Sequence, residues 1–241
     1  MTALVRTEAR LLVREVVPLL WGTGLPVVLL IVTGLASDGP DPSLGGSTLV
    51  ATYEPVLIAF TLATFALQGL PAVLAGYRER GILRRLNATP VGAARLLGAQ
   101  LVVNLATGLI SAGGLLVVGR LAFGVAAPRQ AAGFALALIL AAGAMLALGL
   151  LVASLARPGR VAGATGAMLF LALMFFAGLW IPRAEMPAGL RQAGDYTPLG
   201  AAVAALQRSL AGQWPSAAGL GVLAGYAAVS GLLAWRFFRW E

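Results

Sequence analysis

Residues Tyr77 to Gln100 read Y-R-E-R-G-I-L-R-R-L-N-A-T-P-V-G-A-A-R-L-L-G-A-Q, and the fold is decided by how this run is read. It is the longest charged interruption in a very apolar chain, with five arginines (Arg78, Arg80, Arg84, Arg85 and Arg95) and one acid, Glu79. Such a run cannot lie in hydrocarbon, and short arginine-rich loops are retained on the inner side of a membrane. Its grammar is helix, break, helix. Gly81 loosens a first piece that carries Ile82, Leu83 and Leu86; Thr89 then reads as an N-cap with Pro90 at the first helical position. On these residues alone the run is either a basic loop that sets topology or an element with a task of its own.

Moving outward, 59% of the 241 residues are hydrophobic and only 11% charged, against roughly half and a quarter in soluble domains. This is the composition of an integral membrane protein, and 31 glycines with 13 prolines fit it, since both are commoner in membrane helices. All 17 basic residues are arginine, and the chain has no lysine, histidine or cysteine. Zinc sites, thiol nucleophiles and Ser-His pairs are thereby excluded, and no catalytic or metal-ligating set is expected. Without a G-x-x-x-x-G-K-[ST] run the chain holds no P-loop, so no cofactor is expected on it. The net charge of +8 flanks the apolar stretches, where it meets anionic lipid headgroups rather than nucleic acid.

In chain order, residues 1–16 carry Val5, Ala9, Leu12 and Val16 at helical spacing with Arg6, Arg10 and Arg14 on another face, as expected of an interfacial helix that is not a cleaved signal. Six spans follow: Val17 to Ala36, bent by Pro18 and Pro26; Thr52 to Gly76; Leu101 to Val118; Ala131 to Leu155; Val161 to Trp180; and Ser216 to Trp235. Each is long enough for the about 30 Å of a bilayer core. With both termini inside, twelve arginines fall on the inner side and five (Arg120, Arg129, Arg183, Arg191 and Arg208) on the outer side, which satisfies the arginine bias. In the outer segment 181–215, Leu199, Val203, Leu206 and Leu210 share one face of a piece too short to cross, so it either lies flat or re-enters. The fold class is therefore all-α, one polytopic domain over 1–241. Glycines at G-x-x-x-G spacing, Gly159 with Gly163 and Gly221 with Gly225, are expected to pack inside the subunit.

The run Arg78 to Pro90 resembles the signature E-x-G-x-L-x-x-L-x-x-T-P of ABC-2-type permeases, the membrane subunits of ATP-driven exporters. Glu79, Gly81, Leu83, Leu86, Thr89 and Pro90 match it, whereas Ile82 and Gln100 stand where the family often has threonine and lysine. The resemblance implies a connecting helix at 1–16, a coupling segment at 77–97 and a short hairpin at 181–215, where Ile181 to Pro187 and Asp195 to Leu199 are similar to the family's pattern. It implies that Glu79, Arg80, Gly81, Leu83, Arg84, Leu86, Thr89 and Pro90 couple the chain to an ATP-binding cassette subunit, which holds ATP and magnesium. It further implies a homodimer in the cell's inner (plasma) membrane, of the drug- or antibiotic-resistance type. The family's pathway lies at the dimer axis between the second and fifth spans, which here carry Phe60, Thr64, Phe65, Met174 and Phe175.

Three function classes compete on sequence. The first is the permease of an ABC exporter for small amphipathic compounds, with lipid or polysaccharide export as a variant. An ion-coupled secondary transporter would use an intramembrane acid, and only Glu54 near the outer end of the second span approaches that role. A lipid-modifying enzyme needs clustered carboxylates, a metal or an activated nucleophile, none of which the sequence carries.

Overall fold

A computed structural model describes residues 2–14, 16–44, 46–88, 92–156 and 159–238. The sequence-predicted N-cap pair Thr89 and Pro90 lies outside them. The described chain is helical with a single isolated bridge, Asp41 to Ser47. We number the helices α1 (Thr2–Arg14), α2 (Val16–Leu35), α3 (Leu49–Glu79), α4 (Ile82–Asn87), α5 (Ala93–Phe123), α6 (Ala131–Leu155), α7 (Gly159–Ala177), α8 (Ala188–Asp195), α9 (Pro198–Leu210) and α10 (Ala217–Phe237). Six of them, α2, α3, α5, α6, α7 and α10, are long and apolar enough to cross a membrane. They alternate in direction, so one end of the bundle gathers α1, α4 and the Tyr77 to Gln100 run (the motif end) and the other gathers α8 and α9 (the far end).

The second span is the axis of the packing, since 78% of its most apolar window is buried against 17% for the first and last spans. That inequality follows from the side chains: α2 and α10 present Val17, Leu20, Val28, Leu35, Val229, Leu232 and Trp235 outward, as lipid-facing helices do. The observed α3 and α5 are longer than the spans read from hydropathy, at 31 residues each. Their extra turns carry charged and polar residues that a hydropathy window trims away.

Proline explains a shared irregularity. In α2 a π-helical turn, Leu20–Gly24, stands just before Pro26, and in α3 another, Thr64–Gly69, stands just before Pro71. Proline has no N–H for the carbonyl four residues back, and the ladder absorbs the loss by widening rather than breaking. The two widened turns meet, with the ring of Phe65 lying over Gly22. On the other side of α3 the carbonyls of Ala66 and Leu67 are covered by Gly149 of α6 and Gly166 of α7, where a Cβ would come within 2.0 and 1.9 Å of the two oxygens. No other residue fits there. By contrast Gly163, Gly221 and Gly225 face open space. This corrects the expectation that the G-x-x-x-G glycines pack inside the subunit; only Gly159 has a neighbour, the Glu79 carboxylate.

The segment before the last span forms a helical hairpin. Thr197 caps α9 through its hydroxyl, which accepts from the Gly200 N–H at 3.1 Å, and Pro198 occupies the first position. Leu199, Val203 and Leu206 are fully buried, and α9 packs among α3, α6, α7 and α10 instead of along the bundle's outside.

Candidate functional site

The motif end is assembled by α3 ending in the right place. At Gly81 the backbone turns left-handed (φ +67°), a conformation that costs an L-residue roughly 1–2 kcal/mol and glycine almost nothing. The Gly81 N–H closes on the Arg78 carbonyl at 2.9 Å, and its own carbonyl accepts from Arg85 at 3.1 Å, so one residue both stops α3 and starts α4. Helix α4 then lays Leu83 against Ala93 and Leu96, with Leu4, Ile82, Leu86 and Phe238 around it. Its opposite side shows Arg84 and Arg85 to solvent, beside the exposed Arg80. The side chains of these three arginines make no hydrogen bond or ion pair among the described residues.

The last three residues of α3 do the joining. The Arg78 guanidinium donates to the Ala156 and Ala153 carbonyls at 3.2 and 2.9 Å, capping the C-terminal end of α6. It also lies 5.5 Å from the ring centroid of Phe238, just past α10. The next residue, Glu79, accepts the backbone N–H of Gly159 at 2.7 Å, the first residue of α7. A cation at a helix C-terminus and an anion at an N-terminus are both the favourable sign for the helix dipole. One dipeptide therefore fastens α3 to the two helix ends on either side of the α6 to α7 turn.

Tyr77 faces the other way. Its hydroxyl donates to Oε2 of Glu8 at 2.8 Å, and the same oxygen accepts from Nε2 of Gln100 at 2.6 Å. Asn104 supports Gln100 by donating to its carbonyl at 2.8 Å. Glu8 is buried, so these donors replace the water that a carboxylate loses on burial. Through them α1 is bonded to α3 and α5.

The predicted coupling residues Glu79, Arg80, Gly81, Leu83, Arg84 and Leu86 are thus brought together in one corner. Sequence reasoning missed Glu8, Tyr77 and Arg78 as its partners. For Glu8 the available signal is an acid in the same turn series as Leu4 and Leu12, that is, on an inward face; for Gln100 the sequence offers only its departure from the family pattern.

The predicted pathway residues are not gathered on an open surface. Phe60 meets Phe170 edge to face at 5.0 Å, Thr64 bonds back to the Phe60 carbonyl at 2.9 Å, and Met174 is fully buried in the same core. Phe65 is 2% exposed, whereas Phe175 is 37% exposed and stands edge-on to Phe176.

Five apolar helices packed around a central sixth, with a short charged helix at one end, define a multi-pass membrane protein. The chain matches the family described as ABC-2 type transporter over residues 1–210, and it belongs to that family. It is accordingly the membrane component of an ABC transporter, a class that works with an ATP-binding partner. A search of curated proteins found no match to the chain.

Proposed function

We propose that this permease is the export pathway of an ATP-driven transporter, working as a homodimer with a separate ATP-binding subunit. The motif end then faces the cytoplasm of the inner (plasma) membrane, as do both termini. One observation carries this reading: Arg80 before α4 and Arg84 and Arg85 on it have side chains without partners among the described residues, while the adjoining Tyr77 to Glu79 run is bonded to α1, α6 and α7. A conformational equilibrium shifts only as far as differential contacts allow. A partner docking on α4 differently in its ATP-bound and ATP-free states would bias the arrangement of most of the bundle. The ATP and magnesium would be held by that partner. The cargo fits small amphipathic drugs or natural products, passing beside α7 at Phe175 with Phe60, Thr64, Phe65 and Met174 in the layer behind.

Two measurements test this. Co-expression with candidate ATP-binding subunits should yield a complex with substrate-stimulated ATP hydrolysis. On this cysteine-free chain, Asn87→Cys should resist membrane-impermeant reagents in intact cells; labelling there would reverse the topology. The ion-coupled alternative has one observation in its favour, since Glu54 in α3 is buried with neither carboxylate oxygen hydrogen-bonded.

A further inference from the structure

The far end of the bundle carries five arginines and five acids (Asp38, Asp41, Glu54, Glu185 and Asp195), so it is close to neutral as a whole. Their distribution is not even. A cavity of about 710 Å³ opens between the 44–52 segment, the start of the α5 to α6 connection, α8 and the end of α9, and four arginines line it: Arg129, Arg183, Arg191 and Arg208. Only one acid does, Asp195, and it is paired with Arg183. Arg183 is 7% exposed and also donates to the Phe176 carbonyl at 3.0 Å, so it is a fixed wall of the cavity, with its charge largely answered.

The remaining three are not answered. Arg208 gives its Nε–H to the Trp214 carbonyl at 3.3 Å, which orients the guanidinium and leaves its outer nitrogens open. Arg129 lies over Gly212 and Arg191 lines the cavity from α8, and neither side chain has a hydrogen bond or ion pair among the described residues. Like charges held around one space repel, and topology gives no reason to collect arginine there. Neutral donors and acceptors add to them, Gln207 and Thr52, and Leu44, Val125 and Leu210 contribute apolar lining. Guanidinium groups recognise oxyanions in a forked geometry, and a cavity of this volume suits a ligand rather than a lone ion.

We infer that this cavity binds a phosphate oxyanion carried on a small organic group, with the phosphate among Arg129, Arg191 and Arg208 and the apolar part of the group against Leu44, Val125 and Leu210. The phosphate can come from the headgroup of an anionic phospholipid or from a soluble phosphoester. The inference is about binding alone and does not depend on the transport reading, so it is tested without transport.

The experiment uses the full-length permease purified in a neutral detergent, with native mass spectrometry and thermal unfolding as readouts. The probes are phosphatidylglycerol and glycerol 3-phosphate. Saturable retention and stabilisation by phosphatidylglycerol alone identifies a lipid headgroup, and a response to both identifies a free phosphoester; either supports the site. Arg191→Gln with Arg208→Gln should weaken the binding about a hundredfold, taking about tenfold for each charge-assisted contact removed. Gln207→Glu, which puts a carboxylate into the cavity without touching an arginine, should abolish it. No response of the wild-type chain to either probe overturns the inference, as does undiminished binding by Gln207→Glu.

Discussion

The two ends of the bundle use the same residue types for opposite purposes. At the motif end, Tyr77, Arg78 and Glu79 are bonded to other helices, and Arg80, Arg84 and Arg85 stand apart at and before α4. At the far end Arg183 is used in that way, and Arg129, Arg191 and Arg208 surround an opening. The difference shows that charge near a membrane boundary is not one signal: the helix end or carboxylate it meets determines whether it ties helices together or waits for a partner.

The comparison breaks first if the ties are dispensable. Glu79→Ala should abolish transport and substrate-stimulated ATP hydrolysis in the assembled complex. It should lower thermal stability by only about 1 kcal/mol, the usual effect of losing one helix cap at an exposed site. Arg78→Ala should behave similarly, with a larger stability loss because two carbonyls of α6 lose their donor. If Glu79→Ala inserts normally and transports at the wild-type rate, the coupling element is not there.

A smaller effect sharpens what the middle of the bundle does. Phe65→Ala should cost about 3 kcal/mol of stability, because it empties the space over Gly22 where the two widened turns meet. Phe175→Ala removes a half-exposed ring and should leave unfolding nearly unchanged while altering which compounds stimulate ATP hydrolysis. Equal destabilisation by the two would make Phe175 a packing residue as well.

How much of this was legible in the sequence follows from the range over which each feature is determined. The spans, their number and the break at Gly81 are local, written in apolar runs and in one glycine that accepts a positive φ. The amphipathic face of α9 is local too, though its placement among four spans depends on where the others stand. The π turns were not read. Pro26 suggested a bend, but the widening answers the missing N–H only because Gly22, Gly149 and Gly166 let neighbouring helices close on it. The partners of the motif were beyond reach for a similar reason, since Glu8 and Gln100 lie 92 residues apart and meet only through the fold.

The smallest expected effect concerns Glu54, the acid that belongs to neither pattern. It sits one turn into the buried part of α3, against Gly119 of α5, where a Cβ would approach Oε1 within 2.1 Å. A buried acid inside a membrane span is the usual mark of an ion relay, and it would be the driving element of a secondary transporter. On the proposed reading the free energy arrives through α4 at the other end, and this side chain takes no part in the cycle. Glu54→Gln keeps the shape and removes the ionisable group. Transport by the ATP-coupled complex should then stay within about twofold of wild type, because the carboxylate oxygens make no hydrogen bond that the change would remove. ATP hydrolysis without transport in Glu54→Gln, or transport in vesicles driven by a proton gradient with no ATP-binding subunit present, would shift the energetic centre of the molecule from the motif end to the far end.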